Sequence, residues 1–388
     1  MQDDRREIQI TTTIDVEAIE RRFSELWAES AAAVPGPEEV LLRSRVASLM
    51  IFISRESEID EIRATLSELS KAHPCRALMM VGDRETGSQD IEVHLSAACR
   101  SEKSRIGQLC CEEITLIARG DFVYELPSVA IPLLVPDLPV FLWWRDELRT
   151  EDSLFTKLVG ATNRIIIDSV EFNRPESDFA FMAQLFHREQ LDAAAITDIN
   201  WARLTSWRAL LANFYDVENY HDELEQINTV TIDFVPQEPS TRATAAQAML
   251  IAAWLASRLG WSLAAEPQTQ SKDGTISFRF AKDERQIDLQ LKSVERTEMR
   301  PGRLAKVELK TATQQPASFL VSRSANGRYL QTEARIGDEV YPGRVLPVRN
   351  RSTSELLSKE MEFLSNDRIY EETVNMVARM VEAVVEEE

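Results

Sequence analysis

The sequence predicts a protein of the α/β to α+β class, built from two domains. The N-terminal part predicts a mixed or parallel sheet with flanking helices, because continuous apolar runs alternate with segments of helical periodicity. The C-terminal part predicts an antiparallel meander, because apolar residues recur at every second position between turn dipeptides. The length of 388 residues agrees with two domains, at about 150 residues per domain.

An amphipathic helix is predicted near the N-terminus. The apolar residues from Val16 to Leu26 are three or four positions apart, which is the spacing of one helical face. We therefore expect a helix over residues 16–30, within an N-terminal helical arm that comprises residues 1–36.

Residues 37–225 are predicted to form an α/β domain. The apolar runs Val46–Ile53 and Ala77–Val81 flank a segment of helical spacing at 59–69, which is the pattern of a β-α-β unit. Together with the segments that follow, this pattern predicts a sheet covered by helices. Further strands are expected at 91–95, 114–118, 140–144 and 165–167, and further helices at 154–161, 179–188 and 200–214.

Residues 226–388 are predicted to form an α+β domain with a basic antiparallel sheet. A strand at 230–234 precedes a helix at 244–259, which is apolar nearly all round and is therefore expected to be buried. Alternation with a period of two predicts the antiparallel strands from 275 to 335. Terminal helices are expected at 353–364 and 369–385.

The charge of the chain excludes one class of partner. Its formal charge of −20 arises from 44 Lys and Arg against 64 Asp and Glu. Attraction to a phosphate backbone depends on clustered Lys and Arg, so we expect no binding to nucleic acid. No apolar stretch reaches the roughly 20 residues of a membrane helix, and residues 1–10 lack the apolar core of a signal peptide. We expect a cytoplasmic protein without a membrane segment.

Basic residues are concentrated in the predicted meander. Residues 272–351 hold 16 Lys and Arg against 10 Asp and Glu, a charge of +6, which leaves −26 for the rest of the chain. Two interpretations stay open. The segment is either a solvent-facing sheet surface rich in arginine, or a docking surface that attracts an acidic partner.

The usual sequence signatures of enzyme chemistry are absent. The sequence contains no glycine-rich phosphate loop, no nucleophile elbow of a hydrolase and no paired His or Cys spacing of a zinc site. None of its four histidines has a second histidine in register for catalysis or metal binding. The residues therefore give no candidate for catalysis, and we expect neither a cofactor nor a metal.

Four polar residues follow two predicted strands of the first domain. Arg145 and Asp146 follow one strand, and Asp168 and Ser169 follow the next. Open parallel sheets bind ligands beyond the carboxyl ends of their strands, so these residues are candidates for a small-ligand crevice. The alternative is that they are turn and helix-cap residues, which local hydrogen bonding favours.

Tryptophan serves both in protein cores and as an anchor of interfaces. Trp144 precedes a polar pair and Trp201 lies beside Arg203, so we expect both indole rings to be partly exposed and to take part in an interface. Trp207 lies on an apolar helix face, which favours the core.

An ordered set of short motifs runs through the chain. The longest is PLLVPDLPVFLWW, and it is accompanied by HPCR, CEEI, RIIIDS, WARLTSWR and AAWLASRLGW, at 132–144, 73–76, 111–114, 164–169, 201–208 and 252–261. In the same order, they resemble the motifs of the glucose-6-phosphate dehydrogenase assembly protein (OpcA) family. The tryptophan-containing motifs are specific, whereas HPxR alone is weak.

The resemblance implies a non-catalytic allosteric activator and assembly factor. Such a protein binds glucose-6-phosphate dehydrogenase and promotes its active oligomer in the oxidative pentose phosphate pathway. The candidates for partner binding within the motifs and beside them are Asp137, Trp143, Trp144, Arg145, Trp201, Arg203, Trp207 and Arg208.

The resemblance also implies redox control, because part of the family is implicated in regulation by thioredoxin. Cys75 replaces the serine that is usual in the HPSR motif. The redox candidates are Cys75, Cys99, Cys110 and Cys111. The alternative is that these residues are buried, inert thiols.

A different class of function stays open beside the assembly factor. It is a sugar-phosphate or nucleotide sensing protein, or an enzyme, whose site lies at the carboxyl ends of the N-terminal strands. That site would contain Arg145, Asp146, Asp168 and Ser169.

Overall fold

The computed structural model divides the chain into two compact units. The first combines Met1–Ile167, His187–Ile199 and Arg351–Asn366, and the second combines Asp168–Phe186, Asn200–Asn350 and Asp367–Glu388. Both are assembled from separate stretches, whereas the domain boundaries expected from the sequence are continuous and stay a prediction. The structure describes residues 7–10, 16–32, 41–42, 46–85, 91–100, 108–149, 152–188, 194–236, 246–264, 268–270, 275–349 and 351–386.

The described helices and strands are numbered in chain order. The helices are α1 Val16–Ala32, α2 Ile59–Leu69, α3 Leu126–Ala130, α4 Ser153–Val159, α5 Pro175–Leu185, α6 Ile199–Arg203, α7 Thr205–Asn213, α8 Glu218–Leu224, α9 Ala246–Leu259, α10 Thr353–Glu360 and α11 Arg368–Glu382. The strands are β1 Glu7–Ile10, β2 Leu41–Leu42, β3 Ala47–Ile53, β4 Cys75–Asp83, β5 Ile91–Arg100, β6 Gln108–Arg119, β7 Val140–Trp144, β8 Arg164–Ile167, β9 Ala195–Asp198, β10 Ile227–Phe234, β11 Ser262–Leu263, β12 Gln268–Gln270, β13 Ile276–Lys282, β14 Arg285–Ser293, β15 Leu304–Thr311, β16 Ala317–Arg323, β17 Tyr329–Ile336, β18 Glu339–Pro347 and β19 Val384–Glu386.

The sheet of the first unit is doubly wound. Its strand order is β1-β5-β6-β4-β3-β7-β8-β9, and β2 pairs with β6. The strands from β6 to β9 in this order are parallel, whereas β5 is antiparallel to β6 and β1 is antiparallel to β5. From β3 the chain moves outward to β4 and β6, and then returns to β7 on the other side. The reversal places a topological switch point between β3 and β7, where sheets of this kind bind ligands.

The core of this sheet explains the sequence pattern that predicted it. Every residue of β3 is buried, because a central strand of a covered parallel sheet has apolar neighbours on both faces. Helix α2 buries Ile62, Leu66 and Leu69, and helix α1 buries Ile19 and Phe23. The apolar spacing of three and four thus marks the helix faces that are buried.

The sheet of the second unit places an early strand, β10, between two strands that follow it in sequence. Its order is β18-β17-β16-β15-β10-β14-β13-β12-β19, and β11 pairs with β13. Strand β10 lies between β14 and β15, parallel to the former and antiparallel to the latter. Ile287, Leu289 and Leu291 of β14 are buried at alternate positions, and α9 is buried along most of its length. The fold class expected from the sequence is confirmed.

The expectation of one continuous helix over 200–214 is wrong, because α6 and α7 meet at Leu204. The Trp201 carbonyl accepts hydrogen bonds from the backbone N–H of Leu204 at 3.1 Å and from Nη1 of Arg208 at 2.8 Å. A continuous helix would pair this carbonyl with the N–H of Thr205. The competing donors therefore interrupt the helical ladder.

Among the described residues, no helix has both the length and the apolar character that crossing a bilayer requires.

Gly82 in β4 has no room for a side chain. A Cβ there would lie 2.7 Å from Cζ of Phe52 and 2.8 Å from Cγ1 of Val123. We expect Gly82→Ala to lower the free energy of unfolding by about 1–3 kcal/mol, the usual cost of overpacking a core. Chemical denaturation followed by circular dichroism measures this change.

Gly160→Ala is the matched control for that variant. Gly160 has φ −59° at the end of α4, and its Cβ would come no closer than 3.5 Å to a neighbouring atom. We expect this variant to be as stable as the parent, or more stable by about 0.4–1 kcal/mol, because alanine restricts the unfolded chain. Equal destabilisation by both substitutions would contradict the packing argument.

Candidate functional site

The switch point lies at the carboxyl ends of β3 and β7. Strand β3 is followed by SRESE at 54–58, and β7 is followed by Arg145 and Asp146. The backbone N–H of Arg145 donates to the Phe52 carbonyl at 3.0 Å, which continues the ladder past the end of β7. The residues that follow the two strands therefore begin in close contact.

The charge of Arg145 is neutralised inside the first unit. Its Nη1 lies 3.2 Å from Oε1 of Glu61, and its Nη2 lies 3.7 Å from Oε2 of Glu58. The guanidinium also lies over the Trp143 ring, 5.2 Å from its centroid. Ion pairing and the aromatic face together hold the side chain in place.

A dinucleotide does not fit this switch point. Doubly wound sheets that bind one use glycines in the first β-α turn, so that backbone N–H groups can approach the pyrophosphate. The corresponding turn of this chain, SRESE, contains no glycine. Four carboxylates, at Glu56, Glu58, Asp60 and Glu61, lie at the start of the following helical segment, where they would repel phosphate.

A second ion-pair cluster lies at the end of β4. Arg84 donates from Nη1 to Asp146 at 2.5 Å and from Nη2 to Asp152 at 2.9 Å. Burial lowers the pKa of Arg84, but the hydrogen bond and charge of Asp146, with the charge of Asp152, outweigh it and hold the pKa above its ordinary value. Asp152 also caps α4 by accepting the Leu154 N–H at 2.9 Å. Asp146 therefore joins β4 to the segment after β7.

Two aromatic rings pack against Trp144, the last residue of β7. Trp144 stacks on Phe52 with ring centroids 4.4 Å apart and planes inclined by 13°. It also meets Phe155 edge-on, with ring centroids 4.9 Å apart. The Trp144 side chain is consequently only 2% exposed.

A buried arginine joins two parallel strands of the first unit. Arg76 in β4 is opposite Glu112 in β6, and both are almost wholly buried. Nε of Arg76 donates to Oε2 of Glu112 at 2.7 Å, and Nη1 donates to Glu20 and, at 2.9 Å, to the Leu133 carbonyl. Burial lowers the pKa of Arg76, but its bonds to both carboxylates outweigh this effect, so the pKa lies above its ordinary value.

Arg164 has a comparable position at the start of β8. It donates from Nη1 to the carbonyls of Phe363 and Ser365, each at 3.0 Å, and from Nη2 to Glu360 at 3.1 Å. This arginine attaches residues 351–366 to the sheet, although they lie about 200 positions later in the chain.

The second unit contains a bidentate ion pair between two sequence motifs. Nη1 and Nη2 of Arg203 donate to Oδ1 and Oδ2 of Asp168 at 2.6 and 2.7 Å. Asn200 donates to the Ser169 hydroxyl at 3.0 Å and accepts from Gln247 at 2.7 Å. These buried polar groups satisfy one another, as low-dielectric interiors require.

Trp201 is enclosed by the second unit. Its Nε1 donates to Asp367 at 3.0 Å, and its ring lies 5.6 Å from that of Tyr370. The Arg208 guanidinium covers the indole at 3.4 Å from the ring centroid. Asp367 also caps α11, so Trp201 attaches the start of that helix.

Comparison with protein-family models decides the family. The model of the glucose-6-phosphate dehydrogenase subunit N-terminal domain matches residues 66–184, and that of the C-terminal domain matches residues 194–374. Together the two matches cover more than three quarters of the chain. The chain belongs to the OpcA family. The resemblance found in the sequence is confirmed.

Curated relatives carry the name OxPP cycle protein OpcA. One from Synechocystis sp. is 27% identical over 81% of this chain and 65% of its own length. One from Nostoc punctiforme is 29% identical over 81% of this chain and 66% of its own length. The chain therefore spans about two thirds of the length of these OpcA proteins.

Solved structures show only a distant likeness. The transcriptional regulator Gal80p of Kluyveromyces lactis aligns with a TM-score of 0.47 and 9% identity, over 89% of this chain and 93% of its own. The WlbA dehydrogenase of Thermus thermophilus aligns with a TM-score of 0.43 and 8% identity, over 88% of this chain and 97% of its own. Likenesses this weak carry no information about activity.

In this OpcA family member, the sequence motifs pair with one another. HPCR supplies Arg76 and CEEI supplies its partner Glu112, while RIIIDS supplies Asp168 and WARLTSWR supplies its partner Arg203. Each pair unites residues that are more than 30 positions apart in sequence. The charges of the motifs are therefore used to hold the fold together.

Four of the eight partner-binding candidates, the tryptophans, lie in the core, whereas Arg145, Arg203 and Arg208 are partly buried. The expectation that Trp144 and Trp201 are partly exposed is wrong, because the Phe52 stack and the Asp367 hydrogen bond bury them to 2% and 5% exposure. Trp143 and Trp207 are buried as well. Asp137 is exposed in a turn with φ 63°, a conformation that aspartate tolerates. Whether these residues contribute to partner binding stays a prediction.

The four predicted crevice residues are divided equally between the two compact units. Arg145 and Asp146 belong to the first unit, where Glu61 and Arg84 are among their partners. Asp168 and Ser169 belong to the second, where Asp168 also accepts the Val170 N–H as a helix cap. The cap interpretation is confirmed for Asp168, and a shared crevice stays a prediction.

The cysteines leave redox control untested. Cys75 is buried, with 2% of its surface exposed. The register of β5 and β6 sets Cys99 opposite Cys110 and Ala98 opposite Cys111, but the side chains of these three cysteines lie outside the described residues. Within the described residues, no group of three His, Cys, Asp or Glu side chains is arranged to hold a metal ion. Thioredoxin as a partner stays a prediction.

One cluster was missed by the sequence analysis. Arg303, just before β15, lies within electrostatic range of Arg203, Arg323 and Arg300. These residues come from separate parts of the chain, apart from the Arg-Pro-Gly-Arg turn at 300–303. The basic excess of residues 272–351 was a sequence signal for Arg300, Arg303 and Arg323, but not for Arg203.

We expect Arg76→Ala to lower the free energy of unfolding by about 3–5 kcal/mol, because it leaves the Glu112 carboxylate buried without its cation. Urea denaturation measures the loss. Arg55→Ala is the matched control, since Arg55 is 76% exposed and pairs with Glu58 at the surface. That variant should lose less than about 1 kcal/mol. Similar losses in both variants would show that burial of the ion pair has no special role.

Proposed function

We propose that the chain is a non-catalytic protein that binds glucose-6-phosphate dehydrogenase and promotes its active oligomer. The pairing of the motif charges supports this proposal most strongly. Arg76 and Arg203 are neutralised by carboxylates of other motifs, and Arg145 and Asp146 at the switch point are neutralised likewise. A catalytic site needs charged groups that are directed at a substrate. The names of the matching family models supply the partner.

Activation by such a protein follows from differential affinity. A partner shifts an equilibrium between oligomers only by as much as it prefers one of them. To raise the active oligomer from 1% to 99% of the total, it must bind that oligomer about 10,000-fold more tightly. No bond in the substrate needs to be broken by the activator itself.

Within the described residues, the hairpin β17–β18 is the surface that best suits docking. Every residue of β18 is exposed, and β18 is the last strand of its sheet. It presents apolar side chains at Val340, Tyr341 and Val345, with the exposed Arg335 and Arg344 beside them. Interfaces commonly combine an apolar centre with a charged rim, and sheet edges are frequent sites of strand addition. The basic segment of an acidic chain would attract an acidic surface of the enzyme.

Mixing the purified chain with glucose-6-phosphate dehydrogenase from the same organism tests the proposal. We expect the chain alone to show no dehydrogenase activity. Added to the enzyme, it should co-elute on a sizing column, shift the enzyme to a larger oligomer and raise its turnover or lower its substrate requirement. Unchanged kinetics together with separate elution would refute the proposed function.

A charge-reversal variant tests the docking surface. Arg335→Glu combined with Arg344→Glu should slow association with the dehydrogenase by about tenfold at low ionic strength, because steering by opposite charges is lost. The dependence of the association rate on salt should flatten as well. Surface plasmon resonance measures both quantities.

Arg55→Glu is the control for charge reversal, since Arg55 is exposed and belongs to the first unit. We expect its association rate to match that of the parent protein. If all three proteins associate at the same rate, the hairpin is not the docking surface, although binding elsewhere would remain compatible with the proposed function.

A further inference from the structure

Two large apolar side chains that are adjacent in sequence are exposed in the first unit. Phe363 and Leu364, which follow helix α10, have 61% and 53% of their surface exposed. The exposed fraction of Phe363 exceeds that of any other large apolar residue in the described part of the chain. Single exposed apolar residues are common on protein surfaces, whereas contiguous ones indicate an interaction site.

A buried arginine fixes the backbone of this pair. Arg164 is 4% exposed, and its Nη1 donates to the carbonyls of Phe363 and Ser365, each at 3.0 Å. These two carbonyls lie on either side of Leu364. Nη2 donates to Glu360 at 3.1 Å. One guanidinium therefore holds the chain before and after the second exposed side chain, in charge-assisted bonds that are stronger than ordinary ones.

The helix before the pair is fixed to the same unit. Helix α10 buries Leu357, and Met361 directly after the helix is buried as well. Glu360 also accepts a hydrogen bond from the Thr197 hydroxyl of β9. Withdrawing the apolar pair into the unit would break the bonds of Arg164 and leave its charge buried without partners, which costs free energy.

This arrangement has the properties of a prepared binding anchor. Large apolar side chains in water forgo the free energy that burial would supply. A partner that covers them recovers this free energy, and it loses less conformational entropy when the backbone is already fixed. Arg164 begins the RIIIDS motif, so a motif that resembles those of the OpcA family positions the exposed pair.

We propose that Phe363 and Leu364 form an apolar anchor that inserts into an apolar pocket of glucose-6-phosphate dehydrogenase. This inference rests on the proposed function and adds a second contact to it, in the unit that does not contain the hairpin β17–β18. The exposed Lys359 and Glu362 flank the anchor with opposite charges. An apolar centre with a charged rim is the usual composition of an interface between proteins.

A second copy of this chain is a poor occupant for the anchor. The two side chains offer on the order of 200 Å² of apolar surface. Two copies that met through this pair would bury roughly 400 Å², whereas a specific interface buries about 1,200 Å² or more. Each copy also carries a formal charge of −20, so the two would repel each other. The dehydrogenase meets the hairpin as well under the proposed function, so the anchor supplies only part of that interface.

Biolayer interferometry of the full chain with the dehydrogenase from the same organism tests the proposal. Phe363→Ser combined with Leu364→Ser should raise the Kd at least tenfold, because the anchor loses its apolar surface. Most of the change should be in the dissociation rate, and the salt dependence should match that of the parent, since no charge is altered. Charge reversal in the hairpin has the opposite signature, because it slows association.

Two further variants are controls for this measurement. Val46→Ser is the matched control, since Val46 is 46% exposed and belongs to the same unit. We expect it to bind with the Kd of the parent. Phe363→Leu keeps an apolar side chain at the anchor, so its Kd should stay within threefold of the parent value.

Hydrogen exchange followed by mass spectrometry gives a readout that needs no variant. Binding of the dehydrogenase to the parent protein should slow exchange in peptides that contain residues 362–366. Peptides around Val46 should exchange at the same rate with and without the enzyme. This measurement tests the anchor even where the double variant fails to fold.

The outcomes separate the anchor from the proposed function. If the parent does not bind the dehydrogenase, both fail together. If the parent binds and the folded double variant binds equally well, or if residues 362–366 gain no protection, the anchor alone is disproved. A parent dimer on a sizing column that the double variant loses would assign the pair to a second copy, which would also overturn the proposal.

Discussion

The ion pair between Arg76 and Glu112 is the constraint on which the first unit depends. Transferring a guanidinium and a carboxylate out of water costs several kcal/mol for each ion, and only close pairing with further hydrogen bonds offsets that cost. Arg76 meets this condition by binding Glu112, Glu20 and the Leu133 carbonyl at once. Helix α1, strands β4 and β6 and the segment before β7 must therefore be in place together. Arg164 and Arg203 impose the same kind of condition elsewhere.

The sequence predicted the helices and strands that have a recognisable local pattern. It did not predict the burial of side chains whose contacts lie far away in the sequence. Val140–Trp144 was recognisable as a buried strand because all its residues are apolar. Strand β9 was missed, since its four residues include Thr197 and Asp198 and show neither alternation nor an apolar run. The burial of Trp144 and Trp201 depends on Phe52, 92 positions earlier, and on Asp367, 166 positions later. Arg303 was missed for the same reason, because the arginines near it come from separate segments.

The switch point combines a strand order that is typical of ligand binding with charges that are paired inside the same unit. The strand order is the one that opens a crevice for a nucleotide in other proteins. Here, however, Arg145 and Arg84 near the switch point form ion pairs with carboxylates of the same unit. Fold and function are separable in this way, because function resides in the site.

The position of β10 has a consequence for how the second unit is formed. Strands β14 and β15 are neighbours in sequence, yet they cannot pair as a hairpin, because β10 separates them in the sheet. The centre of the sheet therefore forms only when β10, which precedes β14 by about 60 residues, pairs with both strands. These pairings have a high sequence separation. During synthesis, β10 leaves the ribosome before both of its neighbours and stays unpaired until they have been made. Its alternating apolar residues are therefore unprotected for longer than those of any neighbouring strand, and a newly made chain is most prone to mispairing at this strand.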